Sequence, residues 1–269
     1  MFGEIHAIQP FFVNNTTQYY KKMLPDTPYV HFYSFTANTA KTAVSAAVPD
    51  CCADILFSFF NGEAEGFLYG FVTKKDKLKL RPGADYFGVR FRPGFLPECL
   101  GVSLTELIDA RIPLSDLPEV ATLSEKMATM GTEAAFSERM ELLFKFFGDK
   151  WINHQLLKQF TDLISKKNGI CRVNELEDMT LYSTRYINKI FKSNIGVSPK
   201  AFSRYVRLQR LIYAMNNQNY SSFSAMAADF GYFDQAHLSK EFKQLTSVTP
   251  REYLDVINVA DYKRKLVYI

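Results

Sequence analysis

Two runs of hydrogen-bonding and cationic residues stand at matching spacing in the second half of the chain. One comprises Thr184, Arg185, Asn188, Lys189 and Lys192, the other Gln235, Ala236, Ser239, Lys240 and Lys243. On a helix each run forms a face of amides, hydroxyls and cations, the groups that pair with base edges and phosphates in a major groove. A single face of this kind is ordinary solvated helix; two of them in one basic region point to double-stranded DNA.

The elements that position these faces repeat with an offset of 51 residues. Ser183 falls on Asp234, Ile187 on Leu238, Lys189 on Lys240, Phe191 on Phe242 and Lys192 on Lys243; further on, Val197 meets Val248, Ser198 meets Thr249, Pro199 meets Pro250 and Phe202 meets Tyr253. Each copy reads as a short helix, a turn, a second helix and a Ser/Thr-Pro step. The spacing predicts a leading helix over Val173–Met179 and a second over Thr184–Lys192 capped by Ser183, with Asp234 capping its counterpart. Ile187, Ile190 and Phe191 form the apolar face of one helix, and Leu238, Phe242 and Leu245 that of the other. Ser198-Pro199 and Thr249-Pro250 fit a cap followed by proline in the first turn. After the first of these, Lys200–Asn217 reads as a long helix joining the copies, which sets two reading helices toward consecutive major grooves about 34 Å apart.

Charge separates the halves in the same way. Residues 1–150 carry 15 Lys+Arg against 18 Asp+Glu, net −3, while residues 151–269 carry 17 against 10, net +7. The attraction for a polyanion therefore lies in the second half. With 269 residues, 47% of them hydrophobic, two packed domains are expected rather than disorder. No stretch reads as a membrane span, and MFGEIHAIQP lacks the pattern of a secretory leader, so a cytoplasmic protein without a membrane role is expected. Cys51, Cys52, Cys99 and Cys171 have no CxxC spacing and read as reduced thiols rather than a metal site or a nucleophile.

Gly231–Leu254, GYFDQAHLSKEFKQLTSVTPREYL, resembles the second helix-turn-helix signature of AraC/XylS regulators, and Ser183–Leu211 is similar to the first unit and linking helix. The likeness covers roughly residues 155–255. It implies a bacterial DNA-binding activator or repressor, with Arg185, Asn188 and Lys189 in the base-facing slots of the first unit and Gln235, Ala236, Ser239 and Lys240 in those of the second. Two positions depart from the pattern. Ser247 stands where glycine is common, which implies a strained left-handed turn, and Glu177 replaces a small residue, which implies looser packing of the first unit.

Residues 30–95 are rich in β-formers broken by turns: Val30–Thr36, Cys52–Phe60, Gly66–Thr73, Lys77–Leu80 and Tyr86–Arg92 read as strands of a small antiparallel barrel or sandwich. VPDCCADILFSF and FGVRFRPGFLPECLG resemble the cupin-like N-terminal domains of one branch of the same family. That resemblance implies an effector pocket, with Phe57, Phe59, Phe67, Tyr69, Phe87 and Phe91 as candidate lining residues that plain core packing also explains. Arg90 and Arg92 share a face and are candidates to meet an acidic ligand, or to lie in water. A metal-binding cupin needs gathered histidines and carboxylates, whereas His6 and His31 stand apart; His237 shares a helix with the reading face and reads as packing. No catalytic residue, metal or cofactor is indicated.

Leu104–Ala110, Val120–Met130 and Ala135–Phe147 read as helices. The stripe Leu142, Leu143, Phe146 and Phe147 can pack on the barrel or against a second subunit. The reading is an α+β protein: residues 1–115 a cupin-like antiparallel β barrel for effector binding or dimerisation, 116–150 a helical connector, and 151–269 an all-α tandem helix-turn-helix domain. Expected partners are double-stranded DNA, a small-molecule effector, RNA polymerase for an activator, and a second copy of the chain. Two rivals stand: a cupin-type ligand-binding or enzymatic protein whose helical half serves assembly, and a DNA-binding protein whose first half only dimerises or binds a protein partner.

Overall fold

The computed structural model describes residues 7–39, 44–131 and 134–269. The chain opens with helix α1 (Pro10–Asn14), then strands β1 (Thr16–Met23), β2 (Tyr29–Ala37), β3 (Val44–Ala47), β4 (Asp54–Phe60), β5 (Glu63–Tyr69), β6 (Asp76–Lys79), β7 (Asp85–Phe91), β8 (Leu96–Pro97) and β9 (Arg111–Pro113). Helices α2 (Leu123–Thr129) and α3 (Phe136–Phe147) and the short strand β10 (Trp151–Ile152) lead to the helical half. There α4 (Gln155–Lys166), α5 (Val173–Thr180), α6 (Thr184–Asn194), α7 (Pro199–Asn217), α8 (Phe223–Asp229), α9 (Gln235–Thr246), α10 (Pro250–Val256) and α11 (Val259–Lys265) precede a last strand, β11 (Leu266–Tyr268).

The main sheet has the order β11-β1-β2-β7-β4-β5-β9, antiparallel throughout except where β11 runs parallel to β1. Strands β2 and β7 are buried along nearly their whole length because both faces of the sheet are covered, which is why they read as continuous apolar runs. One face, carrying Phe32, Ile55, Phe57, Phe59, Phe87, Val89 and Phe91, packs under α2, α3 and the segment before them. Leu143 and Phe147 of α3 are buried there, and Leu142 and Phe146 lie partly buried against the same core. The expected stripe is thus satisfied within the chain at Leu143 and Phe147. The other face carries Tyr33, Phe35, Leu56 and Tyr86, and the two-stranded ribbon β3/β6 closes over part of it.

The two halves share a core. Phe12, Tyr33 and Phe35 belong to the same buried cluster as Tyr205, Leu208, Phe242 and Tyr253, and the Phe11 and Tyr253 rings meet edge to face at 6.0 Å. Hydrogen bonds cross the junction as well: Lys75 N–H donates to the Leu245 carbonyl at 2.8 Å, and Lys265 Nζ to the Asn14 carbonyl at 3.0 Å. Gln209 on α7 makes two more, accepting from Ile8 N–H at 2.7 Å and donating to the Pro49 carbonyl at 2.9 Å. With β11 returning to the sheet edge, the helical half is strapped to the first half at several separate points.

Candidate nucleic-acid interface

Helices α6 and α9 begin as their sequences predict. Ser183 caps α6 by accepting from Tyr186 N–H at 3.3 Å, and Asp234 caps α9 by accepting from His237 N–H at 2.7 Å. Ile187, Ile190 and Phe191 are buried, as are Leu238, Phe242 and Leu245, so the opposite faces turn outward. Helix α7 is capped by Ser198 with Pro199 in its first turn, and α10 by Thr249 with Pro250; Thr249 and Glu252 complete a capping box. Phe202, Tyr205, Leu208, Leu211 and Ile212 bury the inner side of α7, which fixes the two units on one rigid rod.

On the outward faces, Arg185, Lys189, Lys192, Gln235, Ala236, Lys240 and Lys243 are exposed. Arg185, Lys189, Lys240 and Lys243 have no ion-pair partner among the described residues, so their charge is available to a polyanion. The remaining residues are half-buried or tied down. Thr184 donates its hydroxyl to Glu177 at 2.7 Å, and Asn188 donates to the Thr184 carbonyl at 2.8 Å. Lys192 reaches the Gly196 carbonyl at 3.4 Å, past the end of α6. Gln235 accepts from Ser224 at 3.2 Å, and Ser239 is half-buried. Glu177, expected to loosen the first unit, instead links α5 to α6 through Thr184. Ser247 takes the left-handed conformation its position requires, at φ 63°.

Behind the second reading helix sits a polar anchor that sequence reasoning missed. The buried Glu241 carboxylate accepts from Arg204 Nε at 2.9 Å, Arg207 Nη2 at 3.2 Å and the Tyr232 hydroxyl at 2.9 Å, holding α9 to α7. Also missed were apolar residues in the turns. Leu181 and Phe233 are each 94% exposed, just ahead of the capping residues of α6 and α9. The signal was present in the sequence as a large apolar residue in a turn one or two positions before a cap.

The candidate effector residues divide. Phe57, Phe59, Phe87 and Phe91 are buried on the sheet face covered by α2 and α3, with Phe87 against Phe136 at 5.2 Å and Phe91 against Phe147 at 5.9 Å. Alternation put Phe57 and Phe59 together correctly, but which face is inner depends on where the connector folds. Phe67 and Tyr69 do point to the other face, where the Arg111 guanidinium lies 3.6 Å from the centre of the Phe67 ring. Arg92 donates to the Thr27 carbonyl at 2.6 Å.

Arg90 and Tyr69 reach a cavity of about 60 Å³ beneath the ribbon, bounded also by Gln9, Phe12 and Tyr33. There Arg90 is already paired, with Asp50 at 2.6 Å and with Asp54 through both Nε and Nη2, so it is not free to receive an acidic ligand. Burial pushes the Asp54 carboxyl above its ordinary range, against the opposing pull of Arg90. Gln9 ties this cluster to the loop before β4, donating to the Val48 carbonyl and to Asp50, both at 2.8 Å. A larger cavity of about 520 Å³ lies between β1, α7 and α11, lined by Lys21, Met23, Asn216, Tyr262 and Lys263 among others. Among the described residues, no group of three or more His, Cys, Asp or Glu could hold a metal ion, and no helix is long and apolar enough to cross a membrane.

A sheet-rich first half, a connector and paired capped helices on one rod define a fold with two helix-turn-helix units in its second half. Residues 176–255 match a family model described as a helix-turn-helix domain, and residues 24–113 match a domain of unknown function. The helical half is thus similar to helix-turn-helix domains of transcriptional regulators. It is 29% identical over 105 residues to an uncharacterized HTH-type transcriptional regulator of Haemophilus influenzae, covering 39% of this chain and 34% of that protein. It is 26% identical over 111 residues to the HTH-type transcriptional regulator MtrA of Neisseria gonorrhoeae, covering 41% and 35%. The matching region thus spans about a third of the length of these curated relatives. Apo ToxT from Vibrio cholerae superposes with a TM-score of 0.46 at 13% identity, covering 86% of this chain and 98% of ToxT.

Proposed function

We propose that the chain regulates transcription by binding a specific duplex DNA site through α6 and α9, with RNA polymerase as the partner of an activator and a second copy as a partner in dimers. The observation that carries this reading is the pair of capped helices on one rod, each presenting an exposed face with lysines that no carboxylate neutralises. Basic side chains supply salt-sensitive attraction to phosphates, and the polar faces select sequence. A small-molecule effector is received in the first half or at its junction with α7, and acts by its different affinity for alternative arrangements of the two halves. What supports this part is the small polar cavity beneath the ribbon and the larger one at the junction, both bordering elements bonded or packed to α7.

The test is binding of the chain to duplex from its own upstream region, titrated across salt, beside a Lys189→Ala/Lys240→Ala double variant. A protected footprint is expected, with affinity falling steeply with salt. If each lysine neutralises one phosphate, the double variant lowers the slope of log K against log salt by about 2. Binding without sequence preference, or a slope untouched by the double variant, would overturn the reading.

A further inference from the structure

The two reading faces differ in chemistry. The first is cationic: Arg185 and Lys189 project freely beside Tyr182 and Tyr186, whose rings stack on each other at 5.3 Å. The second keeps its lysines, Lys240 and Lys243, to the middle and C-terminal part of its helix, and its N-terminal end carries no free cation. Ahead of Lys240 it presents a run of five exposed residues, Phe233, Asp234, Gln235, Ala236 and His237, of which Asp234 is occupied as the helix cap.

Phe233 is the unusual member. Its counterpart at the 51-residue offset, Tyr182, has a place to rest, stacked on Tyr186 and edge-on to Phe160 at 6.0 Å. Phe233 is 94% exposed and has no ring contact among the described residues. Nor is the turn that carries it loose. Tyr232 is buried and bonded to Glu241, Asp234 is fixed by its cap, and Phe233 N–H donates to His237 Nδ1 at 3.5 Å. A rigid turn thus holds a phenyl ring out in water at the N-terminal end of the reading helix, the end that meets base edges in this type of domain. Beside it, Gln235 has its carbonyl oxygen engaged by Ser224, which leaves the amide Nε2 hydrogens to donate. An apolar ring, a small Ala236 methyl and an outward amide donor match one base: thymine offers the C5 methyl and, on the neighbouring ring atom, the O4 acceptor.

Resting on the DNA-binding reading above, we propose that the second unit selects a thymine at a fixed position of its half-site, with the Phe233 ring and Ala236 covering the C5 methyl and Gln235 Nε2 donating to O4. The first unit, with Arg185, supplies the donors that suit guanine. Specificity for A·T against G·C pairs is therefore carried by a side chain in the turn as well as by the helix it precedes.

The experiment replaces, one at a time, each thymine in the footprint of the second unit by deoxyuridine, which removes the methyl and nothing else. Burying one methyl group corresponds to about a fourfold change in affinity. The wild-type chain is expected to lose about fourfold at one or two of these positions. Phe233→Ala is expected to bind the thymine duplex about fourfold more weakly and to show a clearly smaller further loss on deoxyuridine than the wild-type chain, the remainder coming from Ala236, while Phe233→Leu retains more of the difference. Because Phe233 is 94% exposed, the melting temperature of both variants stays near the wild-type value. Wild-type binding indifferent to every methyl, or Phe233→Ala keeping the wild-type thymine preference, overturns the proposal. Phe233→Ala with unaltered DNA affinity overturns it too and assigns the ring to a protein partner. A wild-type chain that gives no footprint at all refutes instead the DNA-binding reading beneath it.

Discussion

Replacing Gln209 tests how firmly the reading helices are oriented by the first half. Gln209 is buried on α7, and its amide accepts from Ile8 N–H at 2.7 Å and donates to the Pro49 carbonyl at 2.9 Å. The segment it grips also walls the small cavity, since Gln9 binds Val48 and Asp50, and Asp50 pairs with Arg90. Gln209→Ala removes two hydrogen bonds of about 1 kcal/mol each and leaves a buried donor and a buried acceptor unpaired. The expected cost to the junction is about 2–4 kcal/mol, a local opening more frequent by at least roughly thirtyfold. Hydrogen exchange reads this directly: the amides of Ile8, Val48 and residues 50–52 are expected to exchange at least that much faster, with the interior amides of α6 and β7 unchanged. Gln209→Met keeps most of the volume and loses both bonds, so it separates hydrogen bonding from packing and is expected to behave nearly as Gln209→Ala does. Exchange at Ile8, Val48 and residues 50–52 unchanged in both variants would refute the idea that this residue couples the cavity wall to the linking helix.

Two further outcomes follow from buried charge. Glu241→Ala leaves Arg204, Arg207 and the Tyr232 hydroxyl without their shared acceptor, and is expected to lower stability to urea by about 3 kcal/mol and weaken DNA binding, with Glu241→Gln intermediate; a loss below about 1 kcal/mol would show the anchor to be unimportant. Burial, with Lys21 and Arg90 nearby, holds the His31 imidazole well below its usual value of 6.5, so below that pH the unfolded chain takes up a proton that the folded chain refuses. This contribution is constant above pH 6.5 and falls as pH drops below it, by up to about 1.4 kcal/mol per pH unit. His31→Gln is expected to flatten the decline measured by urea unfolding between pH 7 and 5, and an unchanged slope would count against it.

Legibility in the sequence followed the range of the interactions. Caps, apolar faces and the long α7 were readable because they are set by neighbours three or four residues away: Ser183, Asp234, Ser198 and Thr249 all cap as their types predict. Strand β1 was not anticipated, because its burial pattern follows its sheet partners rather than a clean alternation. Strand β11 was hidden for a stronger reason: three residues, Leu266–Tyr268, pair with β1 247 positions earlier, a contact with no local signature. The candidate effector residues could not be sorted into the two faces from sequence for the same cause. A strand's alternation says that Phe57 and Phe59 share a face, but only the return of α3 decides that this face is covered. Arg90 looked available because its partners, Asp50 and Asp54, are set around it by the sheet register and the loop before β4.

The long-range contacts also shape how a signal can reach DNA. If the halves met only through a flexible connector, ligand binding in the sheet domain would have no preferred effect on the spacing of α6 and α9. Here α7, the rod that sets this spacing, is bonded through Gln209 to the cavity wall, α9 is bonded through Leu245 to Lys75 beside the ribbon, and the chain end is paired into the sheet. A ligand that moves the wall or the ribbon must therefore work against contacts made by both reading units. Its influence on DNA affinity is limited to its own difference in affinity for the docked and released arrangements, and a junction of only a few kcal/mol lies within reach of an ordinary small ligand.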